Sequence, residues 1–540
     1  MKPPSTLAEL ILADARERGL RHWFGLPGAG APLDLLDAGR RMGVEFVSVA
    51  HESSAAIMAA YHGALLGTAG LSIAIKGVGA GNLAAGACNA WFERMPVVAM
   101  CERAPASWKL REMIQVCDHA ALFGGITKMQ ATLSPEDAPR ILRELAFAAT
   151  DGRPGPVLVD LPTDLASAPV GPLPPPMPPR APAAPAPAAL AAAADFLKDK
   201  RRPVVVAGGD VLRAGALGEL RGFVEAIGAA VLVAIDSRGT FPESHPRWAG
   251  VLFGIYNPNT LESEILSRAD AVVLVGMDTM MTQNPWKSAL PTCELVARAE
   301  YATLTQPKAR VDGDLKAALR ALTPAPRAGF DEPEIRAAKD KIAPFFRRPG
   351  GARLAAQDVL AIARRRLPSD GLLFTETGAF VLMLETLWPV DLPNTYFGTT
   401  GGRTMGLTVP ALLGAALARP GHPMLGIGAD GSLRMRLGEL EAFARAKANV
   451  PLVIINDGAL GTMKSRQKSR RLADYGLDAA PVDFAAVARA CGLRGVTVDT
   501  PEAFEEELRL ATWADRATLI DARVDPQPYQ DNFGPTIGSP

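Results

Sequence analysis

The sequence predicts an α/β protein built as three doubly wound parallel-sheet domains. Short apolar runs of strand length alternate with amphipathic helical stretches along most of the 540 residues, and glycines and carboxylates cluster where those runs end. Two stretches of altered composition divide the chain. The first, 166–194, is dominated by Pro and Ala and reads as a stiff extended linker; the second, 326–352, is rich in Pro, Gly and charge. They bound an N-terminal domain at 1–165, a central domain at 195–325 and a C-terminal domain at 353–540.

In the N-terminal domain, Leu7, Leu10, Ile11 and Ala15 fall at helical spacing over 5–18, with Gly19 as the stop. A short strand near His22–Gly25 turns sharply through FGLPGAG (24–30). The strand FVSVA (46–50) then ends in His51-Glu52 and a helix, so a carboxylate stands at a strand end and a helix start. The strand LSIAI (71–75) runs into KGVGAGN (76–82). A helix and the strand PVVAM (96–100) follow, with Glu102 just beyond. Glycines followed by an acidic residue imitate a dinucleotide fingerprint, although Asn82 stands where the third glycine belongs. A nicotinamide dehydrogenase is therefore one rival reading.

The central domain resumes at Arg202 with PVVVAGGDVL, AAVLVAIDSRG and ADAVVLVGMD, three strands alternating with helices. The C-terminal domain opens with a helix from Ala355. It continues with the strand LLFTE (372–376), Thr377-Gly378, and the glycine-rich TTGGRTMGLTVPALLGAAL (399–417). Two further apolar strands, MLGIG (424–428) and PLVII (451–455), are joined by an amphipathic helix and deliver Asp430 and Asp457 to one sheet edge. Ligands of open α/β sheets collect at that edge, where Gly431 allows close backbone approach and the next helix offers free N–H groups to an anion. Acidic side chains beside a phosphate imply a divalent metal, and Mg²⁺ prefers one or two carboxylates with phosphate oxygens and water. A basic run, TMKSRQKSRRLADYG, follows Gly461.

The stretch from Gly428 to Gly461 resembles the thiamine diphosphate (ThDP) motif of the acetolactate synthase and 2-oxoacid decarboxylase superfamily. Asp457 falls on that family's metal-binding Asn, and Ala429 replaces a usual Gly. HESSAAIMAAYHGALLG, KGVGAGNLAAGACNAWFERMPVV, QVCDHAALFGGITK and DGRPGPVLVDLPTDL are similar in order and spacing to the family's first domain. The resemblance implies pyrimidine-binding, central and diphosphate-binding domains. It makes Glu52 the catalytic glutamate and Gln115 an active-site glutamine, and sets Gly77–Asn82 at the cofactor's edge. Gly378, Met405, Gly431 and Ser432 would contact the cofactor, Met405 as the wedge that bends it. Asp430, Asp457 and the Ala459 carbonyl would hold Mg²⁺. Lys76, His119 and Arg466 are candidates on the substrate side; Arg466 lies in the lid where acetolactate synthases carry a Trp. Flavin-binding members carry an Arg-Phe-Asp-Asp-Arg run after the strand that reads ADAVVLVG here, and MDTMMTQNPW in its place argues against FAD.

The implied activity is that of an acetolactate synthase-like decarboxylase or carboligase, a transferase or carboxy-lyase that forms an enamine from a 2-oxo acid and passes it to a proton or carbonyl acceptor. A ThDP-dependent C–C lyase of the benzaldehyde lyase or 2-hydroxyacyl-CoA lyase kind is the alternative, and a non-catalytic ThDP-fold binding protein is a third reading. The family builds its site between two chains, so a homodimer or homotetramer is implied. Lys+Arg and Asp+Glu both number 57, which leaves no overall field for nucleic acid or membrane. No apolar stretch reaches membrane-spanning length. The five cysteines are dispersed without a Cys-x-x-Cys, so a cytoplasmic home is expected.

Overall fold

The computed structural model describes residues 4–105, 114–254, 257, 259–282, 284–348, 353–512 and 514–526. The end of the expected second linker (349–352) and of the C-terminal domain (527–540) lie outside the described residues.

Among the described residues three six-stranded sheets form, and every strand pair within them is parallel. The first holds β1 (His22–Gly25), β2 (Glu45–Ser48), β3 (Gly70–Ala74), β4 (Val97–Arg103), β5 (Gln130–Thr132) and β6 (Pro156–Pro162) in the order β2-β1-β3-β4-β6-β5. The second holds β7 (Pro203–Ala207), β8 (Ala230–Ala234), β9 (Trp248–Leu252), β10 (Ala271–Val275), β11 (Thr292–Val296) and β12 (Ala309–Asp312), ordered β12-β11-β10-β7-β8-β9. The third holds β13 (Leu372–Thr375), β14 (Tyr396–Phe397), β15 (Met424–Ala429), β16 (Pro451–Asn456), β17 (Arg494–Val498) and β18 (Thr518–Arg523), ordered β14-β13-β15-β16-β18-β17. First and third sheets thus share one strand order. Only the central sheet has the dinucleotide-type order, which moves that expectation away from the glycine loop at 76–82.

Each sheet is buried on both faces, because successive side chains of a strand point opposite ways. In β7, Val205 and Ala207 enter one apolar cluster while Val204 and Val206 enter another. The third sheet divides likewise, with Leu373, Leu425 and Val453 on one side and Phe374, Met424 and Leu452 on the other.

The second of those faces is continuous with the first domain. Phe24, Val47, Met58 and Tyr61 share a single core with Phe374, Leu407, Leu412 and Leu440. Its centre is the pairing of helices Glu52–Leu65 and Thr408–Ala418, which small residues bring close: a Cβ on Gly414 would lie 2.3 Å from the Met58 carbonyl oxygen. Burial pushes His62 down to about 4, so its neutral Nδ1–H donates to the Gly414 carbonyl at 3.1 Å.

Some local expectations shift. β4 continues through Arg103, so Glu102 lies inside the strand. The helix Pro187–Lys198 starts within the Pro/Ala stretch, where Pro187 sits at its first position and alanines favour helix. The helix Glu332–Ile342 lies within the second stretch, started by an Asp331/Glu334 capping box. Between β15 and β16, one helix gives way to a short helix Asp430–Arg434, a 3₁₀ turn Leu437–Glu439 and a helix Leu440–Arg445. At that break Gly438 comes so close to Ala50 that a Cβ on it would lie 2.8 Å from the Ala50 Cβ. No helix among the described residues is long and apolar enough to cross a membrane.

Candidate active site

Parallel pairing of β15 with β16 sets Gly428 opposite Ile454 and Ala429 opposite Ile455, so Asp430 and Asp457 leave the same sheet edge. Asp430 is 2% exposed, and its Oδ2 has no hydrogen-bond partner among the described residues; the buried Ser432 Oγ has none there either. Burial first, then the charge of Asp457, lifts Asp430 to about 7. Two facing carboxylates, one with an orphaned oxygen, are a donor set that suits a hard divalent cation. Asp457 Oδ1 accepts from the Ala459 amide at 3.0 Å, and a Cβ on Gly461 would lie 2.4 Å from Asp457 Oδ2. The helix starting at Asp430 has no side-chain cap. A Cβ on Gly431 would lie 3.0 Å from Leu460 Cδ2 and 3.6 Å from Met405 Cε, so its absence keeps the backbone open beside Met405. Gly378 reaches the same place: its Cβ would lie 3.5 Å from that of Ala429.

Glu376, just past β13, is a residue that the sequence reading passed over. Its Oε2 accepts from the amides of Leu407 at 2.7 Å and Thr408 at 3.3 Å, and its Oε1 from Ala429 at 3.1 Å. It ties the Met405 loop to the strand that ends at Asp430. Complete burial raises it to about 7 despite those amides. The available signal was the one used for Glu52, a carboxylate closing an apolar strand.

In the first domain, Glu52 opens helix Glu52–Leu65, with the His51 side chain as N-cap accepting from the Ser53 amide. Asn82 Nδ2 donates to Glu52 Oε2 at 3.0 Å, and a Cβ on Gly79 would lie 3.2 Å from Oε1. Gly77 has φ +71° at the start of helix Val78–Phe92 and rests on Gln115, itself left-handed at φ +61°. His119 is buried between Asp160 Oδ1, 2.8 Å from its Nδ1, and the Gly77 amide, 3.4 Å from its Nε2. Lys76 Nζ pairs at 3.1 Å with buried Glu102, whose Oε1 accepts from the Ala31 amide. Arg466 lies exposed on helix Gly461–Ser469 of the other domain.

The candidates therefore form two groups, Lys76, Gly77, Asn82, Gln115 and His119 around Glu52, and Gly378, Met405, Gly431, Ser432, Asp457 and Ala459 around Asp430. Arg436 lies between them. Its Nε donates to the Gly406 carbonyl at 3.0 Å and its Nη1 to Ser53 Oγ at 2.8 Å. Arg436 lies inside the 428–461 stretch, but nothing in that stretch signals its contact with the first domain.

Three family models match in order: the thiamine pyrophosphate enzyme N-terminal TPP binding domain over residues 5–122, its central domain over 190–322 and its C-terminal TPP binding domain over 376–522. Similar proteins include the acetolactate synthase large subunit of Lactococcus lactis, 26% identical over 97% of this chain and 93% of that protein. The isozyme 3 large subunit of Escherichia coli is 27% identical over 96% and 94%. The isozyme 2 large subunit of the same organism is 28% identical over 96% and 95%.

Proposed function

Because the chain belongs to the thiamine pyrophosphate enzymes, we propose that it is a ThDP- and Mg²⁺-dependent 2-oxoacid decarboxylase and carboligase of the acetolactate synthase kind, a transferase acting on small molecules. The observation that carries the reading is the buried Asp430, with an unpartnered oxygen, facing Asp457 at an uncapped helix start.

When bound, ThDP supplies an electron sink for the carbanion left as a 2-oxo acid loses CO₂. The chain does the rest. Asp430, Asp457 and the Ala459 carbonyl would hold Mg²⁺, and the amides after Gly431, with Ser432, would take the diphosphate. Met405, in a loop braced by Glu376 and Arg436, would contact the bound cofactor. Glu52 holds and passes one proton at Oε1, while Asn82 fixes Oε2. Gln115, pinned by its left-handed backbone against Gly77, orients the substrate.

The proposal includes no FAD. Near the switch point of the central sheet, between β7 and β10, Arg153 of the first domain reaches Asp210 Oδ2 at 2.9 Å, Asp278 at 3.3 Å and the Met277 carbonyl at 2.6 Å, which supports a reading without a dinucleotide at that edge. It does include a homodimer or homotetramer with the site shared between chains. All five cysteines are free, which supports a reducing compartment such as the cytoplasm.

The test is a panel of 2-oxo acids, with and without carbonyl acceptors, assayed for CO₂ release. Release that requires both ThDP and Mg²⁺ is expected. If no member of the panel gives ThDP-dependent release while 2-hydroxy ketones are cleaved, the lyase alternative replaces this reading.

A further inference from the structure

The first and third sheets share their strand order, and two buried carboxylates exploit that likeness in a reciprocal way. Glu439 follows the short helix after β15. Its Oε2 accepts from the Ala50 amide and its Oε1 from the His51 amide, both at 3.1 Å, in the turn between β2 and helix Glu52–Leu65. Glu93 also lies between the third and fourth strands of its sheet, β3 and β4, as the C-cap of helix Val78–Phe92. Its Oε2 accepts from the Thr400 amide at 2.8 Å and the Thr400 hydroxyl at 2.5 Å; its Oε1 accepts from the Gly402 amide at 3.0 Å and the Thr399 hydroxyl at 3.2 Å. Those residues lie in the turn between β14 and helix Thr408–Ala418. Each domain thus grips, with one carboxylate, the turn that begins the other domain's central helix.

Both grips are out of water, Glu439 at 1% exposure and Glu93 at 5%. Glycines admit them: a Cβ on Gly402 would lie 2.8 Å from Glu93 Oε1, and Gly438 lies against Ala50. Charge-assisted bonds to two neighbouring amides fix a turn's position and direction more tightly than packing does. The gripped turns are those that carry Glu52 and Met405.

We infer that Glu439 is a positioning residue for Glu52, and Glu93 its counterpart for the Met405 loop, each acting through backbone amides rather than on the cofactor itself. The inference rests on the proposed ThDP chemistry, in which Glu52 must meet a ring nitrogen within hydrogen-bond reach. Misplacing a reacting group by about 1 Å can cost about 10²-fold in rate. The two carboxylates therefore have separable effects. Glu439 sets the rate of proton passage by Glu52, and Glu93 sets how firmly the bent cofactor is held.

The experiment uses the full chain and needs no knowledge of the substrate. ThDP affinity is measured by titration calorimetry with Mg²⁺. Exchange of the thiazolium C2 proton for deuterium, at saturating cofactor, is read by NMR after acid quench. Glu439→Gln is expected to slow exchange about 10–100-fold at unchanged ThDP affinity. Glu93→Gln is expected to weaken affinity about tenfold with exchange at saturation preserved. Glu439→Asp keeps the charge but withdraws it by one methylene, and should show the same split at smaller amplitude, so it serves if the Gln variant does not fold. Wild-type exchange in Glu439→Gln, or an equal loss of affinity and exchange in both variants, overturns the inference. Failure of the wild type to bind ThDP would instead overturn the proposed function.

Discussion

Asp430 and Asp457 stand at the ends of paired strands, and burial together with the Asp457 charge holds Asp430 near neutrality, at about 7 against an ordinary 3.8. Buried Glu376, behind the same strand, is also lifted to about 7, from 4.5. The folded apoprotein therefore keeps protons that the unfolded chain has released, so these groups make stability fall as pH rises from about 4 through 7. Apoprotein melting temperature should decline across that range in calorimetry. In the proposed site Mg²⁺ would have to displace the Asp430 proton, so its affinity should rise by up to about tenfold per pH unit towards neutrality. Asp457→Asn removes the like charge and should flatten both trends; unchanged slopes would remove Asp457 as their cause.

In the proposed site, Glu52→Gln would leave the diphosphate and metal groups in place and remove the proton relay. Turnover should drop about 10²–10⁴-fold with ThDP affinity retained. If the site is shared between chains, hybrids of inactive Glu52→Gln with inactive Asp430→Ala subunits recover activity once chains exchange. No recovery after exchange has been verified would place the site within one chain.

Gly431→Ala tests the close approach beside Met405. The added methyl meets Leu460 Cδ2 at 3.0 Å and Met405 Cε at 3.6 Å, in the space where the diphosphate would approach the helix start. Gly431 is not left-handed, so backbone strain is not the issue. ThDP affinity should fall by about tenfold or more while the melting temperature of the apoprotein holds. Equal affinity would move the diphosphate elsewhere.

Arg153→Met tests the crevice of the central sheet. Arg94 Nε still reaches Asp278 at 2.7 Å and Arg213 Nε still reaches Asp210 at 2.8 Å, but the cation that joins both carboxylates to the first domain is lost. Asp236, whose carboxylate has no hydrogen-bond partner among the described residues, then faces Arg213 alone, and leaving buried charge uncompensated typically costs about 3–5 kcal/mol, which urea unfolding would detect. Wild-type stability would mean that the two remaining arginines suffice.

The three-domain α/β architecture and the strand-end carboxylates Glu52, Asp430 and Asp457 were legible in the sequence, because strand alternation, glycine turns and helix starts are encoded within windows of about ten residues. The glycine loop at 76–82 offered a dinucleotide rival for the same reason: a fingerprint is local, whereas strand order, which assigns the dinucleotide-type sheet to the central domain, is not. Tertiary structure alone decided what holds those residues in place. Arg436 and Ser53 are 383 positions apart, Glu439 and Ala50 are 389 apart, and Glu93 and Thr400 are 307 apart. A buried carboxylate that caps a turn in another domain leaves no periodicity near itself, since its partners are distant backbone amides that every residue except proline offers, joined for Glu93 by two threonine hydroxyls. Only the packing of the two helices brings such groups within bonding distance and gives Glu376, Glu439, Glu93 and Arg436 their roles.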